Sequence, residues 1–314
     1  MARAAVAVEA GRVHSPAGRR VAPRAVSAPA RRQRTAYAYV LPALVLYALV
    51  VVVPFAHGVV ISLFNWDGAS PMHWVGVRNY AAAFGDPLVR QAVVHTLVII
   101  AFYAAIPICL GLVLAAVLAR LRLRLLATWR ALLFLPQVIS VVVVGVAWQW
   151  VVAENGPFNE LLRAVGLASL TRVWLGDFTW ALPTEGVIGI WLMSGLCMVL
   201  FIAGAQAIDP ELYDAANVDG AGPVREFFTI TVPGLRKVIA VASVLTLVGA
   251  INNFGLIWVT TEGGPGNQTQ VLSTLIYTRA FVLNEVGDAA ALAVLLAVVI
   301  MAAAIGISRL ADRS

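Results

Sequence analysis

The sequence predicts an all-α membrane protein with six transmembrane helices. Three observations predict this class. Of the 314 residues, 61% are hydrophobic and only 12% are charged, whereas soluble domains carry roughly 25% charged residues. The apolar residues are gathered into six stretches, each long enough to cross a hydrocarbon core of about 30 Å. The basic residues, 21 arginines and Lys237, cluster on one side of these stretches.

The N-terminal segment does not contribute to this bundle. Residues 1–35 are rich in Ala, Arg, Pro and Val and show no period long enough to build a core, so a disordered, Arg-rich cytoplasmic tail is expected. Its arginines could bind nucleic acid, but we expect no nucleic-acid partner. A cleaved secretory peptide is not expected either, because the following apolar stretch is too long. Residues 36–314 are predicted to be the transmembrane domain.

Six apolar stretches are predicted to be membrane-spanning helices, because a helix satisfies its own backbone inside lipid. They cover approximately residues 37–64, 92–119, 131–153, 184–207, 238–260 and 287–308. Charged side chains are nearly absent from them, and Glu185 and Asp288 are expected at their edges. Cys109 and Cys197 lie inside apolar runs, where a disulfide or a metal site is not expected.

The distribution of basic residues predicts the orientation. With a cytoplasmic N-terminus, 17 of the 22 Lys and Arg residues lie on the cytoplasmic side and five lie outside. The outer five are Arg78, Arg90, Arg163, Arg172 and Arg279. By the positive-inside rule both termini are predicted to be cytoplasmic, together with the polar loop between the fourth and fifth spans.

That polar loop, Asp209–Pro233, is predicted to form two short helices around a glycine turn. Asp209 can cap the first helix and Pro210 suits its first position. Gly220 can end this helix, and Pro223 stands where a second helix can begin. A loop with so much local structure is predicted to be a docking element.

Several chemical functions are not supported by the sequence. It contains no Gly-Lys-Ser/Thr for a phosphate-binding loop, since the single lysine, Lys237, precedes Val238, and it contains no metal-binding HExxH. The centres of the six spans carry no Asp, Glu, Lys or Arg of the kind that ion-coupled carriers use. We therefore expect no enzymatic activity, no metal and no cofactor. Uphill transport would take its energy from another subunit.

The polar loop resembles the EAA loop of binding-protein-dependent ABC importer permeases. That family's pattern is E-A-A, three residues, G, nine residues, then I-x-L-P. The matching residues are Asp214, Ala215, Ala216, Gly220, Ile230 and Pro233. Asp214 replaces the family's glutamate and Val232 its leucine.

The carbohydrate-importing, MalF-like branch of these permeases is similar to this chain over about residues 36–308. The similar segments are LPALVLYALVVVVPFAHGVVISLFNWDG (Leu41–Gly68), WVGVRNYAAAF (Trp74–Phe84), RALLFLPQVIS (Arg130–Ser140) and TTEGGPGNQT (Thr260–Thr269). The resemblance implies a half-channel that pairs with a second permease. It also implies two cytoplasmic ATPase subunits that bind the ATP, an extracytoplasmic solute-binding protein and a bacterial cell membrane.

Within the loop, the residue types predict a surface for the ATPase. Small residues allow close backbone approach, aromatic residues are expected to be anchors, and acidic residues to pair with charges of the partner. The predicted coupling residues are Tyr213, Asp214, Ala215, Ala216, Asp219, Gly220, Phe227, Phe228, Ile230 and Pro233. The alternative is that the loop packs on its own bundle with the acids facing water.

The fifth span holds the best candidates for substrate contact, because amides can bind sugar hydroxyls and aromatic rings can stack on sugar faces. The predicted substrate-path residues are Asn252, Asn253, Phe254 and Trp258. Hydrogen bonding between spans is the alternative role for the amides. Weaker candidates are Trp148, Gln149, Trp150, Trp191 and Ser194.

The glycine-rich segment after the fifth span is predicted to be a mobile or tightly turned outer loop. It contains Gly263, Gly264 and Pro265, which by resemblance lie near the docked binding protein or the outer gate. A simple re-entry turn is the alternative.

These features predict the permease subunit of an ATP-driven ABC importer for a sugar or a related solute. Two alternatives remain. One is an importer permease for an amino acid, peptide or polyamine. The other is an ion-coupled secondary carrier, which the charge-free span centres and the polar loop disfavour.

Overall fold

The computed structural model describes residues 30–120 and 126–312. Most of the predicted tail, residues 1–29, therefore lies outside the described residues. Residues 30–35, which we predicted to belong to the tail, form the first turns of a helix. The chain divides into two compact units, one ending at Pro54 and the other beginning at Phe55.

The first unit contains α1 (Ala30–Tyr47), a π-helical turn (Ala48–Val52) and the start of α2 (Val53–Ile61). Helix α1 continues through Pro42. This run includes most of the stretch Tyr39–Ile61, whose length and hydropathy are sufficient to cross a membrane. The prediction of a first span is thus confirmed.

The second unit is helical apart from one hairpin, in which β1 (Phe64–Asn65) pairs antiparallel with β2 (His73–Trp74). The longer helices are α3 (Arg78–Gly85), α4 (Pro87–Ile100), α5 (Ile106–Arg120), α6 (Leu126–Phe134), α7 (Val141–Val151), α8 (Pro157–Ala164), α9 (Ala181–Ala205), α10 (Pro210–Val218), α13 (Arg236–Ile251) and α16 (Val286–Asp312). The shorter α-helices are α11 (Pro223–Glu226), α12 (Val232–Gly234), α14 (Phe254–Thr260) and α15 (Leu272–Tyr277). Four helices are joined to the next by π or 3₁₀ turns at Ala101–Ala105, Leu135–Val138, Phe227–Thr231 and Thr278–Val282.

Within the described residues, five helical stretches are long and apolar enough to cross a membrane, and a bent pair makes a sixth if it counts as one span. Besides the first, the stretches are Pro87–Leu118, Ala181–Ala205, Arg236–Thr260 and Val286–Ala311. They correspond to the predicted spans two, four, five and six. The prediction of a helical protein with several membrane-spanning stretches is therefore confirmed by the length and hydropathy of these helices.

The third predicted span, residues 131–153, is not one continuous helix. Residues Ala127–Val138 and Val141–Val151 meet at an angle of 101°. The cause is local: Pro136 has no backbone N–H, and Ile139 and Ser140 are extended, so the helical hydrogen-bond ladder is interrupted. Hydropathy alone predicted a straight span because it registers composition and not backbone angles.

Helix α9 packs against its neighbours through glycines. A Cβ atom at Gly189 would lie 1.8 Å from the ring of Tyr103, and one at Gly186 would lie 2.4 Å from the ring of Phe102. On the side facing α6, a Cβ at Gly195 would lie 2.1 Å from the carbonyl oxygen of Leu133. Small residues at helix interfaces allow this close approach. Helix α9 is therefore held tightly between the second span and the bent pair.

Candidate functional site

The loop Asp209–Pro233 has the local structure that its sequence predicts. The Asp209 carboxylate accepts a hydrogen bond of 3.0 Å from the backbone N–H of Glu211, and Pro210 occupies the first position of α10. The helix ends at Val218, and Gly220, directly after the C-cap Asp219, has a φ of +72°, a conformation that glycine adopts without strain. Pro223 begins α11. The predicted caps and the glycine turn are confirmed.

Tertiary contacts close the loop and attach it to the bundle. The Tyr213 hydroxyl lies 3.0 Å from the Thr231 hydroxyl, which links α10 to the π-helical turn Phe227–Thr231. After the loop, Leu235 is fully buried in an apolar cluster that includes Phe201 of α9. The loop is therefore joined to α9 and α13 through this cluster.

The predicted coupling residues divide into exposed and half-buried groups. The exposed residues are Asp214, Ala215, Asp219, Gly220, Phe228 and Pro233. The half-buried residues are Tyr213, Ala216, Phe227 and Ile230. The Phe227 and Phe228 rings meet edge to face with centroids 5.1 Å apart. Phe227 and Tyr213 line an apolar cavity of about 610 Å³ between the loop and the C-terminal part of α5.

Three apolar residues of the loop are strongly exposed, and the sequence reasoning did not select them. Val218 is 88% exposed, Val224 70% and Leu212 53%. With the 65% exposed Phe228, they give the loop an apolar surface among its acidic residues. The signal was present in the sequence, because apolar residues in a polar loop are candidates for a protein interface.

In the predicted substrate path, the fifth span is interrupted at Asn252 and Asn253, between α13 and α14. Asn252 is exposed and Asn253 is 5% exposed. The Asn253 Oδ1 accepts a hydrogen bond of 2.9 Å from the Tyr103 hydroxyl. Its Nδ2 has no hydrogen-bond partner within the described part of the chain. Of the two amides, therefore, only Asn252 has an exposed side chain in this structure.

The aromatic members of the predicted path lie together. The rings of Phe254 and Trp258 are stacked with centroids 5.5 Å apart and an interplanar angle of 22°. Tyr277 contacts both rings, at 4.9 and 4.5 Å, and Phe281 contacts Tyr277 at 5.1 Å. Tyr277 and Phe281 were not predicted, because the outer loop separates them from α14 in the sequence.

Glu185 lies near the start of its span, as the sequence predicts. It is the fifth residue of α9, and its side chain is fully buried. Its Oε1 accepts a hydrogen bond from the hydroxyl of Thr260, the last residue of α14. Its Oε2 has no hydrogen-bond partner among the described residues. The sequence predicts the position of this carboxyl near the end of the span, but only the structure shows that α14 packs against it and buries it.

Gln149, a weaker candidate, also contacts the end of α14. Its Nε2 donates to the carbonyl oxygens of Val259 and Thr260, at 2.9 and 3.0 Å. These carbonyls belong to the last turn of the helix, where no intrahelical donor is available. Gln149 thus caps α14 from α7.

The glycine-rich outer loop is tightly turned. Gly263 and Gly266 have φ angles of +89° and +54°, and a Cβ at Gly263 would lie 1.8 Å from Gln270 Oε1. The fully buried Thr269 donates to the carbonyl of Gly264 at 2.7 Å. Of the two predicted descriptions, a tight turn fits these contacts.

The segment that leads into α9 is fixed by polar side chains. Asn159 is fully buried and donates to the carbonyls of Ala153, Glu154 and Arg172 at 2.8–3.1 Å. Nearer the helix, the Asp177 carboxylate accepts hydrogen bonds from the backbone N–H groups of Thr179 and Trp180, which lower the pKa of this carboxyl below its usual value.

The matching family model is described as "Binding-protein-dependent transport system inner membrane component", and it covers residues 107–313. The chain belongs to this family. It is therefore a membrane transport component, a permease of a binding-protein-dependent system, and not an enzyme.

Individual relatives agree with this assignment. The chain is 38% identical to the probable ABC transporter permease protein YurN of Bacillus subtilis (strain 168), over 85% of this chain and 92% of YurN. It is 32% identical to the sulfoquinovosyl glycerol transport system permease protein SmoG of Agrobacterium fabrum (strain C58 / ATCC 33970), over 81% of this chain and 83% of SmoG.

A solved structure has the same fold. It is a chain of a bacterial alginate ABC transporter in complex with an alginate pentasaccharide-bound periplasmic protein. The TM-score is 0.76 at 22% identity, over 90% of this chain and 96% of that chain.

Proposed function

We propose that this permease is the half-channel subunit of an ATP-driven importer for a sugar or a related solute in a bacterial inner membrane. In this assembly a second permease supplies the other half of the path, and an extracytoplasmic binding protein delivers the solute. Two cytoplasmic ATPase subunits bind and hydrolyse the ATP, while this chain itself carries no cofactor. Both termini and the loop Asp209–Pro233 face the cytoplasm.

The observation that carries the proposal is the loop Asp209–Pro233, a capped and internally bonded element with an exposed apolar surface. Its spacing from Asp214 through Gly220 to Pro233 matches the EAA pattern. The Tyr213–Thr231 contact and the buried Leu235 support a role as a rigid lever. ATP-driven closure of the partner would then tilt α9 and α13 as rigid bodies.

The solute class is supported by the relatives and by the residues of the path. SmoG is named for a sugar-containing glycerol conjugate and the structural neighbour for a polysaccharide. In this chain, the exposed Asn252 lies two residues before Phe254, whose ring stacks on that of Trp258. Amides can bind hydroxyl groups and aromatic faces can stack on pyranose rings, which suits a carbohydrate better than a small ion.

The solute and the energy source are tested together by reconstitution. The permease, its partner permease, the ATPases and the binding protein are placed in proteoliposomes with radiolabelled sugars, amino acids or polyamines. ATP-dependent uptake of a sugar is expected only when binding protein is present outside. Uptake driven by a proton or sodium gradient without ATP would show a secondary carrier, and uptake of an amino acid or polyamine would reject the sugar assignment.

The docking role of the loop is tested at Val218, whose 88% exposure means that substitution removes no internal packing. Val218→Asp is expected to lower co-purification of the ATPase at least about tenfold, as loss of an interface anchor does. The matched control is Val165→Asp at a 60% exposed site in the segment after α8. Unchanged co-purification with Val218→Asp, or an equal loss with the control, would exclude docking through this surface.

A further inference from the structure

Glu185 is a buried carboxyl that the proposed function does not yet use. It is fully buried within a membrane-spanning helix, and no basic side chain of the described residues forms an ion pair with it. Ionisable side chains inside a membrane are costly and usually have a function. Its only hydrogen bond in the described structure is the one from Thr260.

The hydrogen bond from Thr260 connects the Glu185 carboxyl to helix α14. Thr260 ends α14, a helix of seven residues. Its hydroxyl also lies 2.8 Å from the carbonyl oxygen of Leu256, so without Glu185 the single hydroxyl proton could be used inside α14 itself. The bond to Glu185 instead joins the C-terminal end of α14 to α9.

The other end of α14 is held in a comparable way. Tyr103, which is 1% exposed, donates to Asn253 immediately before the helix. Tyr103 is itself fixed because its ring lies against Gly189 of α9, one turn after Glu185. Both ends of α14 therefore depend on the same face of α9.

We propose that Glu185 is a positioning residue of the translocation path, which fixes α14 by accepting the Thr260 hydrogen bond. Helix α14 carries Phe254 and Trp258, and it begins beside Asn252. Glu185 contacts none of these side chains, so it acts on the solute only through the placement of α14. The inference rests on the proposed function in so far as these three residues line the path.

The first test measures the position of α14 without any solute. In the full-length permease in lipid nanodiscs, Asn252→Cys is introduced in a Cys109→Ala background, where the remaining native thiol, Cys197, is fully buried. Glu185→Leu and Thr260→Val each remove the bond, and each is expected to change the labelling rate of the introduced thiol at least about fivefold. Glu185→Gln and Thr260→Ser retain an acceptor or a donor and are expected to stay within about twofold of the parent.

A double-mutant cycle decides whether the two side chains act as one contact. The combined Glu185→Leu/Thr260→Val protein is expected to show no larger effect than either single variant. Additive effects, or a Glu185→Gln effect as large as that of Glu185→Leu, would overturn the proposal. If Glu185→Leu does not accumulate in the membrane, Thr260→Val and Thr260→Ser answer the same question.

The second test uses the assembled transporter. Displacement of α14 is expected to lower solute uptake at least about fivefold and leave ATP hydrolysis within about twofold, since α13 separates the loop Asp209–Pro233 from α14 and Leu235 keeps the loop anchored. General structural damage would lower both rates and would count against positioning. If the parent transporter takes up no sugar, the proposed function fails while the labelling result still judges the role of Glu185.

Discussion

The contact between Gly189 and Tyr103 makes Gly189→Ala the most decisive stability test of this fold. The new Cβ would lie 1.8 Å from Cε2 and 2.4 Å from Cζ of the ring, distances too short for non-bonded carbon atoms. Tyr103 is 1% exposed and hydrogen-bonded to Asn253, so its ring cannot rotate away without losing that bond. The strain must be taken up by separating α9 from the second span.

The magnitude follows from two contributions. Overpacking a well-packed interior costs about 1–3 kcal/mol, and the lost hydrogen bond of the tyrosine adds about 1 kcal/mol. A destabilisation of about 2–4 kcal/mol corresponds to a fall in the unfolding midpoint of roughly 5–15 °C for a unit of this size. The matched control is Gly306→Ala in α16, where a Cβ meets no atom within 4 Å. There the higher helix propensity of alanine, worth up to about 1 kcal/mol, is expected to leave stability unchanged or higher.

The assay uses the buried thiol of Cys197 in a Cys109→Ala background, because a thiol-reactive fluorescent dye then reacts only as the bundle opens. Thermal curves of the two alanine variants are compared in the same detergent. If Gly189→Ala melts at the same temperature as Gly306→Ala, the close packing of α9 on Tyr103 is wrong.

Two further predictions concern local structure. Gly220→Ala is expected to destabilise the turn after α10 by about 1–2 kcal/mol, because the φ of Gly220 is +72°. Gly222→Ala is the control and is expected to be neutral, because Gly222 has a φ of −75° and open space around it. Hydrogen exchange of the α10 amides measures the difference, and equal protection in the two variants would contradict the prediction. Asn159→Ala removes the amide that donates to three carbonyls, of which that of Glu154 keeps a hydrogen bond from Arg163. It is expected to increase tryptic cleavage after Arg163 and Arg172 at least about tenfold. Asn217→Ala, which removes one exposed hydrogen bond, is the control for the second experiment, and unchanged cleavage of the Asn159 variant would contradict the role of that side chain.

Much of the candidate site could be read from the sequence, and its limits have physical causes. The helix caps at Asp209 and the glycine turn at Gly220 were predicted because capping depends on residues within one turn of each other. The pairing of Glu185 with Thr260 was not predicted, since the two residues are 75 positions apart and neither belongs to a local pattern. For the same reason Asn253 was assigned to the path without its partner Tyr103, 150 positions away.

The sequence by itself determined that this chain is a multi-pass helical membrane protein with a structured loop between α9 and α13. Hydropathy and the length of the apolar stretches predict the spans, because lipid requires every span to satisfy its own backbone. The capping residues and the glycine turn predict the structure of the loop. Only the tertiary structure decided that the third predicted span bends by 101°, and that Glu185 is buried against α14. These features depend on how helices distant in sequence pack together, and glycines such as Gly189 allow that packing by leaving room for a neighbouring ring.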